Sequence, residues 1–125
     1  MNHIGEIESS LIAFGGVYSN LEALQALKYE MGNRGIPPSN IVCTGDIMAY
    51  CADPESCVQL IKDWGIYIIL GNVEEQINIE ADVCGCNFEQ GTTCDRLSKT
   101  WYSYINDQLS DGSKQWLKSI PNHIT

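Results

Sequence analysis

The sequence predicts an α/β fold: a small parallel sheet of at least three strands with helices flanking it. Three observations predict it. Short apolar runs alternate with segments of roughly ten to fifteen residues that carry apolar side chains at helical spacing, the pattern of βαβ units. Each apolar run stops at glycine, at Gly15-Gly16, Gly45 and Gly71, as strands do when they enter tight loops. The 125 residues are 44% hydrophobic and 18% charged, the composition of one ordinary globular domain long enough to bury a core.

Ser10 to Phe14 reads as a buried strand. Asn20 then reads as an N-cap, with Leu21, Leu24, Leu27 and Met31 on one helical face. Gly32, Gly35 and Pro37-Pro38 end that helix. Ile41 to Cys43 is a second strand, closed by Thr44-Gly45-Asp46. Asp53-Pro54 opens a second helix, with proline at its first position, and Val58, Ile61 and Trp64 face inward. Ile66 to Leu70 is a third strand, ending in Gly71-Asn72. The stretch from Asp63 to Asp95 has no Lys or Arg, and its Cys84-Gly85-Cys86 segment sits among Gly, Asn and Thr, which predicts an exposed loop. Helical spacing returns at Leu97, Trp101, Tyr104, Ile105 and Leu109. Asp111 or Ser113 caps a last short helix that Pro121 stops. Loops at the carboxyl ends of parallel strands carry the chemistry, so 15–20, 45–50 and 71–75 are expected to converge.

Seven Lys and Arg against sixteen Asp and Glu give a formal net charge of -9. Such a surface repels phosphate backbones and anionic lipid, so no nucleic-acid or membrane partner is expected. No apolar run has the length of a membrane span. The N-terminus carries Glu6 and Glu8 and no basic stretch, so it does not read as a signal peptide, and a cytoplasmic location is expected. In that compartment the six cysteines read as thiols or metal ligands rather than disulfides. The only histidines, His3 and His123, lie at opposite ends of the chain, which leaves no internal residue for a Ser-His-Asp triad.

The three loops carry a resemblance. The chain reads Phe14-Gly15-Gly16-Val17-Tyr18-Ser19-Asn20-Leu21-Glu22-Ala23-Leu24, then Thr44-Gly45-Asp46 with Tyr50 and Pro54 following, then Leu70-Gly71-Asn72-Val73-Glu74-Glu75. This order resembles the N-terminal half of the calcineurin-like metallophosphoesterases, in the bacterial branch related to diadenosine tetraphosphatases and protein phosphatases. That half normally reads strand, Asp-x-His-Gly-Asn-x-x-Ala-Leu, strand, Gly-Asp, a Tyr-Gly-x-x-Pro loop, strand, Gly-Asn-His-Asp. The resemblance runs from about Leu11 to Pro121. It implies the first half of a four-layer sandwich, a phosphoester hydrolase ancestry, and a divalent metal (Mn, Fe or Zn). In the family two such ions share a carboxylate and a hydroxide that attacks phosphorus.

Carried over position by position, Asp46 matches the bridging carboxylate and Asn72 the amide ligand. Gly16 stands where the first-loop Asp would be, and Tyr18 where its His would be. Val73 stands at the general-acid His, and Glu74 at the acid-orienting Asp. Two donors do not make the roughly four to six ligands that each ion takes, so impaired or absent catalysis is expected in this chain. The family's remaining ligands lie in a C-terminal half, and residues 1–125 read as a single domain, truncated relative to that pattern.

Each of these residues has a plainer reading. Asp46 could cap a turn. Asn72 could be an N-cap for the segment through Ile77. Tyr18 and Tyr50 could bind a ligand, with Asn20 beside them, or pack at the sheet's rim. Glu74 and Glu75 could be a solvated helix start. Cys84, Cys86 and Cys94 offer an alternative metal site, with Asp82 or Asp95 nearby. Three readings follow: a family hydrolase acting on a phosphate ester; a non-catalytic module that binds metal, nucleotide or protein; and an inert gene fragment. Half a sandwich leaves a sheet face or edge uncovered, so homodimerisation or association through that face is expected.

Overall fold

A computed structural model describes residues 2–125. The strands are β1 (Ile12–Phe14), β2 (Ile41–Cys43) and β3 (Tyr67–Ile68). The helices are α1 (Leu21–Asn33), α2 (Pro54–Trp64), α3 (Asn72–Asn78), α4 (Thr93–Gln108) and α5 (Asp111–Lys118). The sheet is parallel throughout in the order β1-β2-β3, with Ile12 opposite Ile41 and Val42 opposite Tyr67. The sequence places the middle strand at its observed bounds. The outer two are shorter than expected because their flanks find other partners. The Leu70 N–H donates to the Pro121 carbonyl at 3.1 Å, and the Ser10 carbonyl accepts from the Asn40 amide at 3.1 Å.

The helices start where their caps dictate. The Asn20 side chain accepts from the Ala23 N–H, and Thr92 does the same for Asp95. Gly65, at φ 71°, ends α2 in the left-handed conformation that glycine adopts without strain. Two expectations shift by a residue or more. Ser110, extended at ψ 157°, caps α5 instead of Asp111 or Ser113, and Gly71 occupies the cap of α3, leaving Asn72 as its first helical residue.

The core lies between the sheet and α2, α4 and α5, around Ile41, Ile47, Val58, Ile61, Ile105 and Leu117, all almost fully buried. Helix α2 is central, touching α1, α4 and α5. One polar cluster fastens it to α5. The Glu55 carboxylate accepts from the Ser110 N–H and from the hydroxyls of Ser110 and Ser113 at 2.9–3.0 Å, with Gln59 completing the group. Burial pushes the Glu55 carboxyl up, but these hydrogen bonds together hold it below the usual range.

Helix α4 departs from the sequence expectation. Trp101 and Ile105 are buried, but Leu97 is 59% and Tyr104 40% exposed. Its buried face runs instead through Ser98, Trp101, Tyr102 and Ile105. The stripe that spacing marks as core therefore turns partly outward. Among the described residues no helix is long and apolar enough to cross a membrane.

Candidate functional site

The three loops do converge at the carboxyl ends of the strands, and backbone hydrogen bonds braid them together. The first loop follows the second: Gly16, Tyr18 and Ser19 donate their N–H groups to the carbonyls of Gly45, Asp46 and Ile47 at 2.8–3.2 Å. Cys51 and Asp53 donate back to Tyr18 and Ser19 at 3.1 Å. Ser19 is fully buried and its hydroxyl accepts from the Ala49 N–H, so it holds the loop and is no exposed nucleophile.

The second and third loops are joined by one side chain. Glu74 is fully buried, and its carboxylate accepts from the N–H groups of Asp46, Ile47 and Gly71 at 2.7–2.9 Å. The bond to Gly71 is the reach-back of a capping box; the other two bridge to a different strand's loop. Burial pushes the Glu74 carboxyl up, opposed by these donors. The loops also touch directly. A side chain on Gly45 would strike the Gly71 backbone, and one on Gly71 would strike Asp46. Glycine at both positions lets the two loops lie in contact.

Within this frame Asp46 is half-buried, and its carboxylate oxygen lies 3.5 Å from the Val73 N–H. Asn72 is exposed at the next corner, its amide nitrogen donating to the Cys84 carbonyl at 3.2 Å, which leaves its oxygen free to accept. The structure thus brings Asp46 against the Gly71–Val73 segment that carries Asn72. Asp46, Tyr18, Ser19 and Tyr50 all hold φ between 44° and 60°. Left-handed backbone at four non-glycine residues gathered in one place is the kind of strain that clusters at functional sites.

The first loop supplies nothing comparable. Gly16 sits at φ 66°, and a side chain added there would lie 2.9–3.1 Å from the Tyr18 ring. The tyrosine fills the space a carboxylate at 16 would need. Val73 is buried, 3% exposed, and carries no proton to give. Glu74, the acid-orienting position by resemblance, spends both oxygens on backbone N–H groups. Asn20, a candidate ligand contact, uses its side-chain oxygen to cap α1.

The cysteines are arranged differently from the sequence expectation of thiols. Cys84 and Cys86 are joined in a disulfide, made possible because Gly85 at φ 75° folds their Cα atoms to within 5.5 Å. Cys94 stands exposed as a free thiol on the first turn of α4. Burial pushes the thiols of Cys43 and Cys57 to about 12, so both are inert hydrophobes. Among the described residues no group of three or more His, Cys, Asp and Glu side chains gathers as a metal site. Asp46 and Asn72 supply one carboxylate and one amide on neighbouring loops, fewer donors than a divalent ion's shell takes.

Beside the loops lies a feature the sequence did not reveal. Tyr18 meets Tyr50 edge-on with ring centres 5.1 Å apart, and Tyr50 meets Trp101 of α4 at 5.0 Å. The Tyr104 hydroxyl donates to the Ala52 carbonyl at 2.7 Å, fastening α4 to the second loop. Exposure at Leu97 and Tyr104, invisible to periodicity, is what leaves this wall open.

No family model matches the chain. An uncharacterised protein of Methanocaldococcus jannaschii, MJ0912, is 41% identical over 66 residues, which are 53% of this chain and 26% of that protein. The crystal structure of a metallophosphoesterase from Sphaerobacter thermophilus superposes with a TM-score of 0.62 at 24% identity, covering 91% of this chain and 43% of that one. The chain has the fold of part of a metallophosphoesterase. It spans about a quarter of the curated relative and less than half of the solved chain.

Proposed function

We propose that this chain is a metallophosphoesterase-family protein that keeps one half-built cation position, Asp46 with Asn72, and does not hydrolyse phosphate esters by itself. The observation that carries this reading is the meeting of the Gly45-Asp46 loop with the Gly71-Asn72-Val73 loop at the ends of β2 and β3. A carboxylate and an amide oxygen there suit a hard divalent cation such as Mn, with Fe or Zn as alternatives. A cation held by two protein donors keeps most of its water and binds weakly. Tyr18 over Gly16, and Val73 at the proton-donor position, support impaired catalysis: they remove two ligand positions and the acid.

Native mass spectrometry with and without manganese tests the site, and hydrolysis of an aryl phosphodiester tests the chemistry. The expected result is at most one weakly held ion per chain, lost in Asp46→Ala and kept in Cys84→Ser, with no turnover. Manganese-dependent turnover that Asp46→Ala abolishes would overturn the claim of impaired catalysis. A metal lost only in the cysteine variant would move the site to the Cys84–Cys94 loop. An ion-free spectrum at every concentration would remove the cation position altogether.

A further inference from the structure

The wall between the second loop and α4 borders an open hollow of ≈ 570 Å³, lined by Tyr50, Ala52, Leu97, Trp101 and Tyr104 among others. Its size falls in the range of small-molecule sites. Tyr50 and Trp101 are tilted at 56° to each other, so the two rings form a corner and present π density from two directions. Tyr104 adds a third ring, held in place by its hydroxyl on the Ala52 carbonyl. Trp101 is 8% exposed, which fixes its ring.

Charge then selects among apolar occupants. None of the hollow's lining residues is charged, and neither Arg96 nor Lys99 is among them. Lys99 is engaged with Asp95 at 3.0 Å. Over the whole chain the net charge is -9. Three aromatic rings with no cation among them, on a chain of strongly negative net charge, make a place for a diffuse positive charge, which is attracted to ring faces.

We propose that this hollow binds a small organic ammonium ion, of the quaternary or methylated kind. The proposal stands apart from the cation position at Asp46: the probe below carries no phosphate, and no metal is added, so each can fail without the other.

The test compares choline with 3,3-dimethylbutan-1-ol, its uncharged isostere, on the whole chain by calorimetry and by proton NMR. Choline is expected to bind roughly three- to thirtyfold more tightly than the isostere, with its N-methyl signal moved upfield by the rings. Tyr50→Leu should bring the two ligands to near-equal affinity, and Tyr50→Phe should keep the difference. Tyr50 is 56% exposed, so its removal leaves the core in place; Tyr104→Leu serves as a second ring deletion should the first variant unfold. Equal affinity of the two ligands in the unaltered chain would overturn the proposal in favour of a plain apolar pocket. No choline binding, or a preference for a neutral ring such as indole over choline, would overturn it as well.

Discussion

The first loop and the paired second and third loops belong to one site, yet they are built on opposite terms. Where loops two and three meet, the carboxylate with the most hydrogen bonds is Glu74, and it holds backbone, not ligand. Where loop one arrives, no side chain ties it by charge; main-chain bonds hold it, and the Tyr18 ring fills the space beside Gly16. The difference teaches that the residues a metal would use and the residues the fold needs are separable here. In loop one an aromatic ring fills the space beside a glycine while main-chain bonds keep the loop in register.

The sharpest way to break this comparison is to remove the staple. Glu74→Ala leaves three N–H groups without partners, that of Ile47 buried and those of Asp46 and Gly71 half-buried. At roughly 1–3 kcal/mol per unsatisfied group, partly offset by relaxation and water, the loss is expected to reach about 3–5 kcal/mol in urea unfolding. Glu74→Gln keeps an acceptor oxygen and should lose less than half of that. The pH dependence carries a sign. Burial raises the Glu74 carboxyl above its ordinary 4.5, so the folded state holds that proton more tightly than the unfolded chain. Its contribution is fully present below the ordinary value and declines as pH rises through the raised one. In Glu74→Gln that part of the slope should vanish. A Glu74→Ala cost under about 1 kcal/mol would mean the loops are held by backbone contacts alone.

Loop one offers the converse experiment. Gly16→Asp places a side chain at positive φ against the Tyr18 ring and should cost about 1–2 kcal/mol without gaining metal. Pairing it with Tyr18→His clears the ring and supplies a second donor. The double variant should recover part of the lost stability and bind manganese at least about tenfold more tightly than the unaltered chain, read by calorimetry. Should Gly16→Asp bind metal as well as the double variant does, the tyrosine is not what closes the position.

A smaller effect separates the site from the scaffold behind it. Glu55 fastens α2 to α5 through hydrogen bonds that outweigh its burial and hold its carboxyl low. Stability from a depressed carboxyl is present above the ordinary value and lost as pH falls through the depressed one. Glu55→Ala should therefore cost about 1–2 kcal/mol near neutral pH, and the difference from the unaltered chain should shrink toward acid pH. Metal binding at Asp46 should not change.

Much of this architecture is legible in the residues because local signals agree with the fold. Ile41 to Cys43 is a strand by composition and by pairing. Asn20 and Gly65 bound their helices by side-chain and backbone chemistry that needs no neighbour. Asp46 and Asn72 are legible as a pair only through the family pattern, and the structure does bring their loops together. What stays hidden depends on long-range geometry. The three donors on Glu74 come from two loops, so the residue reads as a solvated helix start until those loops are joined. Tyr18 filling the space beside Gly16 requires the left-handed turn between them. The disulfide of Cys84 with Cys86 turns on the φ of Gly85, and compartment reasoning pointed the other way. Helix α4 shows the limit most clearly, since Leu97 and Tyr104 keep core spacing yet stand 59% and 40% exposed.

That last point yields the smallest predicted effect and the one that reads the surroundings of α4. Leu97 is 59% exposed, so Leu97→Gln removes little buried area and should change the chain's stability by no more than about 0.5 kcal/mol. The same substitution probes self-association. An isolated chain that dimerises over this face buries Leu97 in the dimer, and the variant would then lower both the unfolding midpoint and the sedimentation coefficient at high protein concentration. A stability change that appears only at high concentration identifies a second copy as the cover. A change near zero at every concentration leaves the hollow beside Tyr50 open to solvent, the condition under which Tyr50, Trp101 and Tyr104 can meet a small ligand without first releasing a protein partner.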